Sequence, residues 1–332
     1  MKNLKLICKE NLFFNLSCFN SKKICAMVKA NAYGHGLKDV VRLIDDKVDY
    51  FGVSNVDEGV EVRKISQKPI LVCSKVFDFK KCRKHNLEVM IEDEVDIKKC
   101  LNNGLKENMH LKINCGMNRF GAGNVLNARI VNDLLEEKNI TLKSIYTHFH
   151  CLEDKKQTVR NYMRFQLLRS EINQNAMICF GGSGISSYPF EFDMIRLGIG
   201  LYGYGQNGLK PVMKIKSYVS KVFYAKSGEY IGYGEKYKVK RGGYFAIVPV
   251  GYGDGLRRNL SGKFKVQING QYFQSFGNIC MDAFFVKVDG NVKVGDKVLC
   301  MFDADYLADK IETIPYEILT GFSNFRGKTV IL

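Results

Sequence analysis

The sequence predicts an α/β protein with two parts. An N-terminal (β/α)8 TIM-like barrel spans residues 1–210, and a mainly β C-terminal domain spans 211–332. Three observations carry this. Short apolar runs that close in polar or glycine residues recur eight times before residue 200. Helix-like stretches separate most of them. Beyond about residue 210 the texture changes to runs rich in β-branched and aromatic residues.

The eight runs, in order, are AMVKAN (26–31), YFGVSN (50–55), PILVCSK (69–75), EVMIED (88–93), HLKINCG (110–116), SIYTHFH (144–150), AMICFGG (176–182) and DMIRLG (193–198). Each is short enough for a strand, and its near-continuous apolar character suits a strand buried on both faces. Helical patterns lie between them at 36–47, 125–138 and 155–174. Strand and helix in alternation predict parallel β/α units. An open parallel sheet is the competing architecture; the count of eight favours closure into a barrel. The later runs, 213–226, 243–250, 263–276, 283–288 and 296–302, read as antiparallel strands. Asn269-Gly270 and Asp289-Gly290 read as hairpin turns between them.

Composition narrows the function classes. A chain of 332 residues with 46% hydrophobic content builds a large core, which excludes wholesale disorder. Lys9 and Glu10 interrupt the apolar opening, so no signal peptide is expected, and no stretch approaches the ~20 apolar residues of a membrane span. The expected location is cytoplasmic, with no membrane partner. Eleven cysteines without a C-x-x-C pair read as reduced thiols and not as a zinc or disulfide framework. The formal net charge of +16 permits a nucleic-acid binder, but the Lys and Arg residues are spread along the chain. They read as solvated helix faces, with no nucleic-acid partner expected, in a field that attracts anionic ligands.

In a barrel of this kind the reactive groups gather where the strands end. Those ends give Lys29 and Tyr33, Lys112 and Arg119, His148, Ser183, and Arg196 with Gly198. Lys29 closes an apolar run, where desolvation would favour the neutral, nucleophilic amine of a Schiff-base lysine. The plain alternative is a lysine that reaches past the strand end to solvent. The stretch GGSG (181–184) offers a hydroxyl and close backbone N–H groups for a phosphate, and RLGIGLYG (196–203) a second glycine-rich approach. A lysine, a histidine, two arginines, a serine and these turns suit an anionic, planar, phosphorylated cofactor.

The stretch MVKANAYGHG (27–36) resembles the pyridoxal-phosphate lysine motif of the alanine racemase family. LKINCGMNRFG, YTHFH, DMIRLGIGLYG, YGEKYKVKRGGYFAIVPVGYGDG, GNICMD and IPYEILTGFSNFRG resemble the family's other motifs in the family's order, from residue 26 to residue 327. The family joins an N-terminal β/α barrel to a C-terminal β domain.

The resemblance implies pyridoxal 5'-phosphate as cofactor, alanine as substrate and racemisation as reaction. Inverting the α-carbon needs a proton-transfer group on each face of a planar intermediate. By resemblance Lys29 holds the cofactor and serves the D-alanine face, and Tyr252 serves the L-alanine face. A phenol is a poor base at its usual pKa of about 10, so it needs neighbours; the resemblance implies His148 beside it and Arg196 behind. Arg196 matches the arginine that faces the pyridine nitrogen, and Arg119 the one near the phenolic oxygen and the substrate carboxylate. Lys112 matches a lysine that many members carry as a carbamate. Tyr33, Ser183, Tyr316, Gly198 and Ile199 would receive the phosphate, and Met281 and Asp282 the substrate carboxylate. Tyr252 and Met281 would come from the partner subunit of a head-to-tail homodimer. The D-alanine formed would supply peptidoglycan.

Other residues stay outside this assignment. His35 reads as a structural loop residue, His85 and His110 have no functional context, and Cys280 reads as a small packed residue. His150 shares a strand face with His148. Gly182, Leu197 and Asn278 depart from the Asn, Pro and Arg frequent at their places in the family. Four rivals remain: a broader racemase acting on serine or lysine, a non-enzymatic pyridoxal-phosphate carrier, a fold-related decarboxylase, and a basic nucleic-acid binder.

Overall fold

The computed structural model describes residues 1–19 and 21–332. Its first strand, β1 (Leu4–Ile7), precedes eight parallel strands that close into a barrel: β2 (Lys23–Met27), β3 (Tyr50–Val53), β4 (Ile70–Val72), β5 (Glu88–Ile91), β6 (Met109–Lys112), β7 (Ser144–His148), β8 (Met177–Gly181) and β9 (Met194–Leu197). These are the eight apolar runs. β3 to β6 and β9 are buried at every position, as expected where side chains fill the barrel on one side and meet helices on the other.

The helices start where short polar side chains allow. Asn55, Asp78, Asp93, Asn124 and Asp154 each accept a hydrogen bond from the backbone N–H three residues on, capping Val56–Arg63, Phe79–Lys84, Glu94–Asn102, Val125–Glu137 and Lys155–Arg169. The last two β/α units differ from the expected alternation. Short 3-10 turns, Ser183–Ser187 and Ile199–Tyr202, follow β8 and β9. The early helix Lys9–Ser17 packs beside the second of these, with Asn15 Nδ2 donating to Leu201 O (3.2 Å) and Lys210 O (2.8 Å).

The second sheet uses β10 (Met213–Tyr218), β11 (Lys221–Ala225), β12 (Gly243–Val248), β13 (Lys265–Ile268), β14 (Gln271–Phe276), β15 (Phe284–Val288), β16 (Lys297–Met301) and β17 (Lys328–Ile331). Its order is β11-β12-β15-β14-β13-β16-β10-β1-β17. β1 thus leaves the barrel side of the chain and pairs antiparallel with β10 and parallel with β17. The span 1–210 therefore contributes one strand to the β sheet.

Asn269 (φ 49°) and Gly270 (φ 85°) make the tight turn between the paired strands β13 and β14. The hairpin expected at Asp289-Gly290 does not form. β15 pairs with β12 and β14, whereas β16 pairs with β10 and β13. Asp289 instead accepts from Asn291 N through its own carboxylate (2.9 Å), a local turn that competes with the two-residue hairpin. Among the described residues no helix is long and apolar enough to cross a membrane.

Candidate active site

The site begins at the end of β2. Lys29 opens a tight turn in which Ala30 (φ 53°), Asn31 (φ 54°), Ala32 (φ 53°) and Tyr33 (φ 52°) are all left-handed. Each such non-glycine residue costs about 1–2 kcal/mol, so the turn needs outside support. That support is specific. Ala30 N donates to Glu58 Oε1 (2.7 Å), Leu37 N donates to Asn31 Oδ1 (2.7 Å), and Asn31 Nδ2 donates to Ser323 O (3.0 Å). His35 is fully buried, its Nδ1 3.0 Å from both Ala32 O and Tyr33 O. Lys5, 4% exposed on β1, donates to Gly34 O (2.7 Å) and Phe322 O (3.3 Å). The turn is thereby tied to the β domain, and it aims Lys29 and Tyr33 into the barrel mouth.

On the far side, the parallel register sets His148, Gly181 and Arg196 in one row across β7, β8 and β9. A β-carbon on Gly181 would stand 2.6 Å from His148 Nδ1 and nearer still to Arg196 Nη2. The bare glycine is what lets the two side chains approach. Among the described residues no carboxylate pairs with the buried Arg196. Nη2 donates to Thr147 O (2.6 Å), Nη1 donates to Cys179 O (3.3 Å), and the guanidinium lies 4.4 Å from the Tyr146 ring centre. Burial, then Arg196, Arg119, Lys112 and Lys29, push His148 down to about 3, so its imidazole is neutral at pH 7.

Lys112, at the end of β6, is buried and pushed down to about 8 by desolvation and by Arg196 and Arg119. Among the described residues no carboxylate pairs with it; its ammonium lies 5.1 Å from the Phe120 ring centre. Tyr33, Ser183 and Tyr316 gather at the opposite end. Gly200 N donates to Ser183 Oγ (2.9 Å), and the Tyr33 and Tyr316 rings lie 5.9 Å apart. Burial raises the pKa of both phenols, which keeps them as donors. Together these groups line a cavity of about 310 Å³ that also includes Arg119, Gly198 and Ile199.

Models of the alanine racemase N-terminal domain and the alanine racemase C-terminal domain match residues 10–206 and 212–330. The chain belongs to the alanine racemase family. This is a family of isomerases. The alanine racemase of Clostridium novyi (strain NT) is 33% identical, covering 92% of this chain and 88% of that one. The solved alanine racemase of Clostridium difficile 630 has a TM-score of 0.92 at 29% identity, covering 100% of this chain and 96% of that one. The alanine racemase of Bartonella henselae with covalently bound pyridoxal phosphate shares the fold, with a TM-score of 0.90 at 22% identity over 100% of both chains.

Three residues that the racemase resemblance assigns to the site do not line this cavity. Tyr252 (42% exposed), Met281 (53% exposed) and Asp282 lie together on the β domain. Five lining residues were given no role of their own in the sequence: Met27, Cys73, Tyr146, Gly181 and Gly182. Gly181 and Gly182 carried a signal, as the end of an apolar run and the start of GGSG; the others look like ordinary core residues. The departures from the racemase pattern have local explanations. Gly182 has φ 111°, Leu197 is a fully buried residue of β9, and Asn278 Nδ2 donates to Tyr233 O (2.6 Å). His150 is exposed and lines a neighbouring groove that shares His148 and Tyr316 with the cavity.

Proposed function

We propose that this chain interconverts L-alanine and D-alanine with pyridoxal phosphate as cofactor, using Lys29 and Tyr252 as proton-transfer groups on opposite faces. The observation that supports this most is the convergence of Lys29, His148, Arg196 and the Tyr33–Ser183 end on one cavity, in a chain that both racemase domain models match.

The cavity suits that cofactor. A β-carbon on Gly198 would stand 2.7 Å from Tyr33 Oη, so bare backbone and a phenol face the same space at the phosphate end. Tyr146 Oη is buried without a hydrogen-bond partner among the described residues. Tyr33, Tyr316, Ser183 and the backbone of Gly198 and Ile199 would hold the phosphate, and Arg119 the phenolic oxygen. Bound there and joined to the amino acid, pyridoxal phosphate would supply the electron sink that makes the α-proton removable.

The chain's own residues then divide the work. Lys29 Nζ would anchor the cofactor and, once displaced, carry the proton on the D-alanine face. Tyr252 Oη would carry it on the L-alanine face. His148, neutral at pH 7, would stand beside that phenol with Arg196 behind it. Arg196, always protonated, would donate to the ring nitrogen without yielding its proton, which would limit charge delocalisation and side reactions such as transamination. Lys112 would take up carbon dioxide: its neutral amine forms an N–C bond and releases a proton, leaving a carbamate anion between Arg119 and Arg196. An anion there replaces cation repulsion with attraction.

Tyr252, Met281 and Asp282 would reach the cavity of a second copy, Met281 and Asp282 approaching the substrate carboxylate through backbone N–H groups. A head-to-tail homodimer with two shared sites follows, and the exposed placement of these residues away from their own chain's cavity supports it. We place the activity in the cytoplasm, supplying D-alanine for peptidoglycan.

The deciding experiment is chiral analysis of purified protein with pyridoxal phosphate and L-alanine, L-serine or L-lysine, with Lys29→Ala in parallel. D-alanine from the unaltered protein alone is expected. A larger yield of D-serine or D-lysine would keep the mechanism and change the substrate. No D-amino acid from a cofactor-loaded protein would overturn the racemase reading in favour of a carrier.

A further inference from the structure

The phenol of Tyr252 has no hydrogen-bond partner among the described residues, so its position is set by its backbone turn. That turn, Tyr252–Asp254, is gripped by the side chain of Arg326. Arg326 Nε donates to Asp254 Oδ1 (2.8 Å) and Nη2 donates to Asp254 Oδ2 (2.9 Å), a bidentate pair. Nη1 of the same guanidinium donates to Asp282 Oδ1 (2.7 Å), and Nη2 also reaches Met281 O (3.4 Å). Asp254 is 3% exposed, and its Oδ2 accepts from Gly251 N (2.9 Å) at the start of the turn. Backbone bonds run in parallel: Tyr252 N donates to Cys280 O (3.0 Å) and Gly253 N to Met281 O (2.9 Å).

We propose that Arg326 is a positioning residue for proton transfer at Tyr252. It locks the turn that carries the phenol to the turn that carries Met281 and Asp282, so that proton carrier and carboxylate contact keep one spacing. The inference rests on the racemase reading above. A planar guanidinium suits the task because its donors form a rigid fork that fixes direction as well as distance. A lysine would keep the charge and lose the fork. Removing the guanidinium leaves the buried Asp254 carboxylate with the Gly251 amide alone, and frees the turn to move.

The two faces of the reaction separate this role from a general loss of stability. Holoenzyme with Arg326→Met or Arg326→Lys is incubated in D2O with each enantiomer of alanine. Exchange of the α-proton is followed by NMR and inversion by chiral chromatography. Racemisation, and exchange from L-alanine, should fall about 10- to 100-fold, the range expected for a displaced catalytic group. Exchange with retention from D-alanine, which needs only Lys29, should stay near that of the unaltered protein. The amides of Tyr252 and Gly253 should exchange with deuterium faster in both variants. Equal losses on both faces, or no loss on the L face, would overturn the inference. If Arg326→Met does not fold, Arg326→Lys carries the same comparison. An unaltered protein that exchanges neither enantiomer would sink the racemase reading itself, and this inference with it.

Discussion

Arg196 and His148 meet over the bare α-carbon of Gly181. Neither approach survives an added methyl group, because both side chains rise from neighbouring strands into the space that group would fill. Gly181→Ala should therefore push imidazole and guanidinium apart while leaving the strand buried. Activity should fall about 100-fold, the scale of a 1 Å misplacement. The thermal midpoint should drop by only a few degrees. Steady-state rates beside a melting curve test this; unchanged rates would show that the two side chains need not meet.

Lys5 is a buried cation whose hydrogen bonds, among the described residues, go to the carbonyl oxygens of Gly34 and Phe322 and to no carboxylate. Lys5→Met keeps the stem, strands Gly34 O in a dry environment and leaves Phe322 O with the Phe325 amide alone. The expected loss is about 1–3 kcal/mol of stability. Cofactor affinity should weaken too, since Gly34 closes the turn that carries Lys29 and Tyr33. Urea unfolding gives the first quantity and titration of apoprotein with pyridoxal phosphate the second. A loss of stability with unaltered cofactor affinity would confine Lys5 to the sheet.

His35 is pushed down to about 3, chiefly by burial, from an ordinary value of 6.5. Between those values the unfolded chain binds a proton that the folded chain does not. Stability is therefore complete above pH 6.5 and lost as pH falls, by up to about 1.4 kcal/mol per pH unit for this group. His35→Gln should make the fall between pH 6 and pH 4 shallower by about that slope. Parallel curves for the two proteins would refute the assignment.

Lys112, pushed down to about 8, offers more neutral amine than a surface lysine at pH 7. Carbon-13 NMR of protein equilibrated with labelled bicarbonate should show a carbamate resonance that Lys112→Met lacks. Because the reaction consumes the neutral amine, the resonance should weaken as pH falls below about 7. Spectra that do not distinguish the two proteins would leave Arg119 and Arg196 beside a plain ammonium.

Much of the fold was legible because burial on both faces writes itself as short apolar runs, and all eight barrel strands match such runs. The groups at the mouth were legible for a related reason. A polar residue closing an apolar run, such as Lys29, Lys112 or His148, is conspicuous. Other features left no local trace. β1 reads as an ordinary short strand, and its partners, β10 and β17, lie more than 200 residues away. Ala30, Asn31, Ala32 and Tyr33 carry no mark of left-handed geometry, since contacts distant in sequence impose it. Asp289-Gly290 has the chemistry of a hairpin, but β14 and β12 take the places beside β15. Arg326 reads as one more surface cation until Asp254 and Asp282 are seen on either side of it.

The left-handed turn has a consequence in time. Its own hydrogen bonds to the β domain are with Ser323, and Ala30 lies 293 residues before Ser323. At 5–20 residues per second, roughly 15 to 60 s pass on the ribosome between the two. Throughout that interval the turn has its local partners, Glu58, Leu37 and His35, but lacks Ser323. A chain stalled before residue 316 also lacks Tyr316. On the function proposed above, the cofactor cavity would therefore be complete only in a chain translated through its β domain.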